Sequence, residues 1–309
     1  MKDLELFQQK LKDHPELLQE EFLQAPPFIE IPEQEPSKVF VGVFPEEIVQ
    51  IGQIQCFKGY SILPLTLFAA QYDSQNKSLY WNKKVKIEIE IEKPKILSTP
   101  LFYKGKAEDE AMIKDLVTNP DLLSNYKNIR SIESRTQNYK YVVITSPELA
   151  SAFQPLIDQK IKNGLTATIT TTSWIYQNYE GRDTQEKIRN FIKDYYTYCG
   201  TEYILPGGDV EVVPYRGVYA NVAGAATDFN IPCDLYFSCL DGDWDSDKDS
   251  IFGELTDNVD LMPEVYVGRA PVNTKDQVVS FIDKIQSYET EIFTKMLFII
   301  YWKFKVWLV

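Results

Sequence analysis

The stretch YVVITSPELASAFQPLIDQKIKNGLTATITT, residues 141–171, decides the fold class. Tyr141–Thr145 is a short apolar run, and the Ser-Pro pair after it supplies the N-cap and first turn of a helix with one apolar stripe. That helix should end at Gly164, and the β-branched run Leu165–Thr171 follows as a second strand. A strand–helix–strand order of this length predicts parallel strands joined by a right-handed crossover.

The same alternation of strands and helices continues after this stretch. Asp183 with Glu186 three residues later is a capping-box pattern, which predicts that a second helix begins there. Tyr203–Leu205 is the next predicted strand, and apolar residues at helical spacing predict a further helix over about 274–289. Residues 139–300 are therefore expected to form an α/β domain with a mostly parallel sheet.

The N-terminal third of the chain has a different pattern. Residues 1–27 have the pattern of a polar helical segment ended by a Pro-Pro pair, and residues 28–94 carry the patterns of β-strands. Val85–Glu92 alternates apolar and charged residues without a slip, which predicts a strand with one solvated face. Further predicted features of this region are strands at Val39–Val43 and Ile62–Tyr72 and a turn at Asp73–Asn76. We therefore predict an all-β sandwich, followed over 95–138 by an exposed linker with a short helix in AEDEAMIKDLV.

Charge and hydropathy exclude several classes of function. The chain has 45 Asp and Glu against 32 Lys and Arg, a formal net charge of −13, so it should repel the phosphate backbone of nucleic acids. No run of about 20 apolar residues predicts a membrane span. The N-terminus lacks a basic segment followed by an apolar one, which predicts no signal peptide and, taken alone, a cytoplasmic protein.

Histidine and cysteine usage limits the catalytic chemistry. The only histidine is His14, so a Cys-His or Ser-His mechanism would have to use it as the base. The four cysteines are widely spaced, which is not a disulfide framework and predicts buried structural thiols. Cys233 and Cys239 flank the strand-like run DLYFS, which would hold them about 20 Å apart and unable to form a disulfide.

The densest cluster of acidic residues is DGDWDSDKDSIFGE, residues 241–254. Counted from Asp243, its acids fall at positions 1, 3, 5, 7 and 12, the ligand spacing of an EF-hand loop. Lys248 stands where such a loop has glycine, and no paired helices are predicted around it, so the pattern favours a calcium loop of another type. A solvated acidic loop is the alternative. The predicted calcium ligands are Asp243, Asp245, Asp247, Asp249 and Glu254, with Asp241 as a further candidate.

A second candidate is the Gly207-Gly208 pair in LPGGDVEVVPYR, residues 205–216, at the predicted carboxyl end of a strand. Ligands of open α/β sheets bind at such ends, and glycine allows close backbone approach. A plain strand-to-loop turn explains the pattern equally well. No phosphate-binding glycine motif is present.

Three stretches together resemble the gingipain family of secreted bacterial cysteine peptidases. They are KGYSILPLTLFAAQYDSQNKSLYWNKKVKIEIEIE (58–92), YILPGGDVEVVPYR (203–216) and CDLYFSCLDGDWDSDKDSIFGELTDNVDLMPEVYVGRAPVNTKDQVVSFIDKIQSYE (233–289). The resemblance implies a β-rich propeptide followed by a caspase-like, three-layer α/β peptidase domain. It also implies a secreted or cell-surface protein and a protein or peptide substrate.

The resemblance also places the family's catalytic His and Cys after the helix that ends at Tyr288-Glu289. The roughly twenty residues beyond that point contain neither, so we predict that the chain has no catalytic residue and is inactive alone, as a fragment with a domain incomplete at its C-terminus. The apolar end YWKFKVWLV, residues 301–309, is expected to be an aberrant tail. The main alternative is a non-catalytic calcium-binding pseudo-peptidase or partner-binding module, and a cytoplasmic metal-dependent hydrolase is a third. No pattern assigns an oligomeric state.

Overall fold

A computed structural model describes residues 41–89, 103–128, 138–222, 226–257 and 259–289. The chain divides into two compact units, of which the smaller contains 41–49 and 67–87 and the larger contains the remaining described residues. The N-terminal strands are β1 (Val43–Phe44), β2 (Val49–Ile51), β3 (Gln55–Phe57), β4 (Tyr60–Ile62), β5 (Leu65–Leu67), β6 (Ala70–Asp73) and β7 (Ser78–Trp81). This confirms a β-rich N-terminal region, and the chain passes between the units within β2 and β5.

The smaller unit is built on an antiparallel sheet with the order β1-β6-β7. Its β6–β7 hairpin turns where the sequence predicted, because the Asp73 carboxylate accepts hydrogen bonds from the backbone N–H groups of Gln75 (2.9 Å) and Asn76 (3.1 Å). These bonds lower the pKa of Asp73, the bond from Asn76 most strongly. The turn is therefore held by its own first residue.

Two of the predicted N-terminal strands differ from the structure. The predicted strand Val85–Glu92 is wrong over its described part, since residues 84–89 form no strand, and 90–92 lie outside the described residues. Alternation creates an apolar face, but a strand also needs a neighbouring strand to pair with. The single predicted strand Ile62–Tyr72 is broken into the end of β4, β5 and most of β6, and Pro64, which has no N–H to donate, lies at the first break.

The larger unit contains the parallel sheet that the sequence predicted. Its strands are β8 (Tyr141–Thr145), β9 (Ala167–Thr171), β10 (Tyr203–Gly207) and β13 (Tyr266–Val267), in the order β13-β10-β8-β9 and all parallel. The helices of this unit are α1 (Ala107–Leu116), α2 (Pro147–Lys162), α3 (Thr172–Asn178), α4 (Thr184–Cys199) and α5 (Lys275–Glu289). The α/β fold class is confirmed, and none of the described helices is long and apolar enough to span a membrane.

Helices cover both faces of this sheet because side chains alternate along each strand. Val142 and Ile144 of β8 point to one face, where they pack in a buried cluster with α3 and α4 residues. Val143 points to the other face and packs with buried residues of α2 and α5, including Phe153 and Ile282. The three layers follow from this division of a continuous apolar strand between two cores.

Helix α4 begins at the capping box that the sequence predicts. Asp183 accepts a hydrogen bond from the backbone N–H of Glu186 at 2.8 Å, and Glu186 reaches back to the N–H of Arg182. The Asp183 carboxylate also binds the buried Arg216 guanidinium through two hydrogen bonds of 2.8 Å. Gly200, with φ of 72°, ends the helix in the left-handed conformation.

The segment between β10 and β13 holds elements that the sequence pattern missed. A hairpin of β11 (Arg216–Val222) and β12 (Ala226–Cys233) is interrupted by a register shift between Val218 and Ala220, which breaks the alternation. The run after it, Asp234–Phe237, is a 3₁₀ helix, so the strand predicted there is wrong. Tyr236 and Phe237 are both buried, as adjacent residues of a turn can be and those of a half-buried strand cannot. All four cysteines are free, but the 20 Å estimate for Cys233 and Cys239 no longer applies.

Part of the predicted exposed linker is structured. Within 103–128, helix α1 confirms the predicted short helix and is followed by a 3₁₀ segment, Pro120–Asn128. Tyr103, Ile113 and Leu123 are buried here and form a cluster with Tyr60 of β4. The polar composition hid these few apolar side chains, because their spacing matches no helical or strand period.

Candidate functional site

The acidic loop, residues 241–257, is shaped by a buried carboxylate that the sequence analysis did not select. Asp257 is 2% exposed and accepts backbone hydrogen bonds from Ser246 (2.7 Å), Gly253 (2.9 Å) and Glu254 (3.0 Å). These bonds hold Ser246 and the Gly253-Glu254 end of the predicted ligand segment around one side chain. The twelve-residue spacing of an EF-hand loop, counted from Asp243, ends at Glu254, so the motif could not include Asp257.

The structure brings together four of the five predicted ligands in two overlapping groups. Carboxylate oxygens of Asp247, Asp249 and Glu254 lie within 4.8 Å of one another, and so do those of Asp245, Asp247 and Asp257. Asp243 belongs to neither group. Asp247 is shared, so the two groups describe one cluster of oxygen donors.

Arginine already neutralises one side of this cluster. Arg182 Nη1 lies 2.5 Å from the carboxylate of Asp245, which is 2% exposed, and Arg182 Nη2 lies 3.7 Å from Asp243. No described ion pair includes Asp247, Asp249 or Glu254. The residual negative charge of the loop therefore lies on the Glu254 side.

The donor chemistry of this side suits calcium. The pKa of Glu254 is raised, first by desolvation and then by repulsion from Asp249, Asp247 and Asp257. Calcium accepts six to eight oxygen ligands in flexible geometry, so clustered carboxylates are an appropriate donor set. Lys248 adopts φ of 63°, so it makes the left-handed turn for which an EF-hand uses glycine.

A buried arginine anchors the start of the acidic loop. Arg189 of α4 is 5% exposed, and its guanidinium donates to the carbonyls of Tyr236 (3.0 Å), Cys239 (2.8 Å) and Asp241 (2.9 Å). The guanidinium also lies 4.9 Å from the centroid of the Tyr236 ring. Because its donors bind carbonyls, Arg189 orders the backbone before the loop without pairing with a carboxylate.

The Gly207-Gly208 pair is explained by packing. A Cβ atom on Gly207 would lie 2.8 Å from Cζ of Phe153, and one on Gly208 would lie 2.4 Å from Cγ1 of Val212. The turn is further held by Arg269, which donates to the Gly208 carbonyl at 2.9 Å. These contacts favour the plain turn over a ligand-binding turn.

The thiols of Cys56 and Cys239 lack the environment of a nucleophile. Burial, together with charge repulsion from Asp241 and Asp260, raises the pKa of Cys56 to about 11. Burial also raises the pKa of Cys239 to about 12. A catalytic thiol needs the opposite shift and an adjacent base, and the only histidine, His14, lies outside the described residues.

Comparison with known proteins assigns the chain to a family of cysteine peptidases. The sequence model of Peptidase family C25 matches residues 134–309. Lys-gingipain of Porphyromonas gingivalis is 22% identical over 289 residues, which are 91% of this chain and 15% of that protein. Lys-gingipain HG66 of the same organism is 22% identical over 259 residues, 82% of this chain and 13% of that protein. The chain belongs to peptidase family C25, the gingipain-type cysteine peptidases, as the sequence resemblance predicted.

Solved structures give weaker similarities. A complex of the pro- and mature domains of RgpB from Porphyromonas gingivalis is similar at a TM-score of 0.35 and 20% identity, covering 50% of this chain and 30% of that one. Dimeric latent PorU from the same organism gives a TM-score of 0.34 at 17% identity, covering 48% and 15%. The chain thus spans less than a third of each of these relatives.

Proposed function

We propose that this chain contributes to a gingipain-like cysteine endopeptidase that acts on proteins or peptides outside the cell, and that the chain alone does not supply the nucleophile. The observation that carries the proposal is the match of residues 134–309 to Peptidase family C25. The similarity to Lys-gingipain across 91% of the chain supports it, and it extends into the β-rich N-terminal region. An extracellular location also suits a loop that binds calcium weakly, because extracellular calcium modules have Kd values of about 10⁻⁴ to 10⁻³ M.

The 309-residue chain by itself lacks peptidase activity in this proposal. A cysteine peptidase needs a thiolate and a base, whereas burial keeps the thiols of Cys56 and Cys239 protonated at neutral pH. The single histidine is His14, remote in sequence from each of the four cysteines. The β-rich region and the sheet with its acidic loop are then the parts of a peptidase that this chain supplies.

Thiol reactivity tests this absence of an activated cysteine. We expect alkylation by iodoacetamide at pH 6 to 7 to be slower than for a free cysteine peptide, and to rise with pH as the thiols ionise. The modified cysteine is identified by mass spectrometry in the native and the urea-unfolded chain. Rapid, pH-independent alkylation of one native cysteine, lost on unfolding, would contradict the proposal.

We propose calcium as the ligand of the acidic loop, held by Asp247, Asp249 and Glu254 with help from Asp245 and Asp257. Asp243 belongs to neither group of clustered oxygens, so we propose that it attracts the cation by its charge without binding it directly. Bound calcium would neutralise carboxylates that otherwise repel one another. Binding to the folded state alone would add about 2.7 kcal/mol to the free energy of unfolding at a hundredfold excess over Kd.

Calorimetric titration of Ca²⁺ into the chelator-treated chain tests this assignment. We expect one saturable site with Kd on the order of 10⁻⁴ to 10⁻³ M and weaker binding of Mg²⁺, which demands a nearly octahedral site. Asp247→Asn should weaken binding more than Asp243→Asn, because only Asp247 belongs to both groups. Equal losses in the two variants, or no saturable heat, would contradict it.

The second candidate function is a non-catalytic calcium-binding module, and the protonated thiols of Cys56 and Cys239 favour it. The coding sequence beyond codon 300 distinguishes this candidate from the peptidase. A His-Gly turn and a cysteine-bearing strand in any reading frame support the peptidase, and their absence supports the module.

A further inference from the structure

Three ionisable groups meet beside hairpin β3–β4, outside the acidic-loop cluster described above. Ligand atoms of Cys56, Asp241 and Asp260 lie within 4.8 Å of one another. Cys56 belongs to β3, Asp241 opens the acidic loop, and Asp260 follows that loop. Glu264 is added as a fourth residue because its carboxylate accepts the backbone N–H of Leu240, the residue before Asp241. We call these four residues the carboxylate–thiol cluster.

Hydrogen bonds already connect the two backbone segments that carry this cluster. The Asp260 carboxylate accepts hydrogen bonds from the backbone N–H groups of Cys56 and Met262. Gln55 of the same strand receives the N–H of Leu261 at 2.7 Å, and Lys58 donates to the carbonyl of Glu264. Strand β3 and the segment after the acidic loop therefore hold Cys56 and Asp260 together without a ligand.

Glu264 is the observation that points to a bound cation. Its side chain is fully buried; one carboxylate oxygen accepts the N–H of Leu240 at 2.7 Å, and the other, Oε1, has no hydrogen-bond partner among the described residues. Because Leu240 directly precedes Asp241, this bond holds the Glu264 carboxylate beside the start of the acidic loop. Desolvation raises the pKa of Glu264 most, and the charge of Asp241 raises it next. Oδ2 of Asp241 is also buried without a partner among those residues. Buried acceptors without a donor are costly, and a cation would satisfy both.

No described side chain supplies that cation. None of the ion pairs in the described residues includes Asp241, Asp260 or Glu264. Lys193 and Arg189 lower the pKa of Asp241 by charge attraction, and Lys58 lowers that of Glu264, but none of the three forms an ion pair with the cluster. Arg189 donates to backbone carbonyls and Lys58 to the Glu264 carbonyl. The cluster therefore holds three carboxyl groups and a thiol without a direct counter-ion.

We propose that Cys56, Asp241 and Asp260, with Glu264 completing the set, bind Zn²⁺ and thereby fasten hairpin β3–β4 to the segments that flank the acidic loop. A thiolate excludes the hard cations Ca²⁺ and Mg²⁺ as the preferred occupants, whereas Zn²⁺ accepts sulfur and carboxylate oxygen together in a tetrahedral site. Its ligands release their protons on binding, so affinity rises with pH. This site is separate from the calcium ligands in the acidic loop and does not depend on the proposed peptidase activity.

Titration of the chelator-treated, calcium-saturated chain with Zn²⁺ tests the proposal. We expect one saturable site, and Cys56→Ser should weaken it by about 10- to 100-fold, the range seen even for loss of an outer-shell partner. The matched control is Cys233→Ser, because Cys233 is also a partly buried free cysteine but lies outside the cluster. Asp247→Asn controls for the acidic loop and should leave Zn²⁺ binding unchanged.

Co²⁺ substitution gives a readout that does not depend on stability. We expect thiolate-to-Co²⁺ charge-transfer absorption in the near ultraviolet, absent in Cys56→Ser and retained in Cys233→Ser. If Cys56→Ser fails to fold, Asp241→Asn takes its place and should lower Zn²⁺ affinity while keeping the sulfur signal. Equal Zn²⁺ affinity in the wild type and the cluster variants, absence of the sulfur signal in the wild type, or full competition by Ca²⁺ would overturn the proposal.

Discussion

At the scale of single residues, Arg182 and calcium compete for the same carboxylates. Arg182 contacts the buried Asp245 at 2.5 Å while its own side chain is 44% exposed. Without a metal ion, the guanidinium is the main charge that neutralises this side of the loop. Removing it should therefore have opposite effects on stability and on calcium affinity.

We predict that Arg182→Gln lowers the free energy of unfolding in chelator by about 1–3 kcal/mol, towards the lower end because solvent screens the exposed guanidinium. Its Kd for calcium should fall by about fivefold, since about 1 kcal/mol of charge repulsion is removed. Urea unfolding and calorimetric titration measure the two effects, with Arg182→Lys as the charge-retaining control. A loss of both stability and calcium affinity would contradict this prediction.

Lys104 gives the larger unit a pH-dependent stability. It lines a pocket of about 170 Å³, donates to the carbonyl of Tyr196, and lies 3.4 Å from the centroid of that ring. Burial, together with repulsion from Lys106 and Lys58, lowers the pKa of Lys104 to about 7, although Asp109 and Glu202 act in the opposite direction. The unfolded chain has an ordinary lysine at this position, with a pKa of about 10.4.

Because the unfolded state binds more protons than the folded state between these two pKa values, stability should rise as the pH increases from about 7 to 10. We predict that Lys104→Met removes this rise, which is at most about 1.4 kcal/mol per pH unit. Urea unfolding at a series of pH values measures it, and Lys114→Met, on the exposed side of α1, should keep the wild-type slope. An unchanged slope in Lys104→Met would show that another group titrates.

At the scale of elements, local patterns predicted the larger unit well. Residues close in sequence fix β8, the capping box of α4 and the Gly200 helix end, so a single sequence contains their determinants. The β11–β12 hairpin was missed because its register shift breaks the period. The prediction of a strand at Val85–Glu92 was wrong over its described part for the opposite reason. Its apolar and charged residues alternate regularly, but that alternation does not show whether another strand is present to pair with it.

In the candidate site, too, local spacing predicted some residues, and contacts between distant segments determine the others. Spacing along the loop identified Asp245, Asp247, Asp249 and Glu254 as neighbours. The EF-hand template placed Asp243 with them and could not include Asp257, whose position depends on three backbone hydrogen bonds. Arg182 contacts Asp245 from 63 residues away in sequence, a distance at which no local pattern applies.

The close approach of α2 and β10 yields a prediction for a glycine. A Cβ on Gly207 would lie 2.8 Å and 2.9 Å from two ring carbons of the fully buried Phe153. We predict that Gly207→Ala lowers the free energy of unfolding by about 1–3 kcal/mol through overpacking. Gly268→Ala is the control, since its added Cβ would meet no atom within 4 Å. Equal urea midpoints for the two variants would contradict the packing account of Gly207.

At the scale of the whole molecule, the negative charge is concentrated in one region. Residues 240–264 contain nine acids and one lysine, a net −8 of the chain's −13. Both proposed metal sites lie in or beside this segment. The carboxylates of Asp241 and Asp260, which raise the pKa of Cys56 when no metal ion is bound, are also proposed ligands of the second site.

Peptide hydrolysis tests the proposal that this chain has the peptidase fold without a working nucleophile. The purified 309-residue chain is incubated with fluorogenic peptides cleaved after Lys, Arg or mixed residues, in calcium and a reducing agent, before and after limited proteolysis. We predict no turnover above that of a chain with all four cysteines replaced by serine. Thiol-dependent hydrolysis that disappears when a single cysteine is replaced would contradict it.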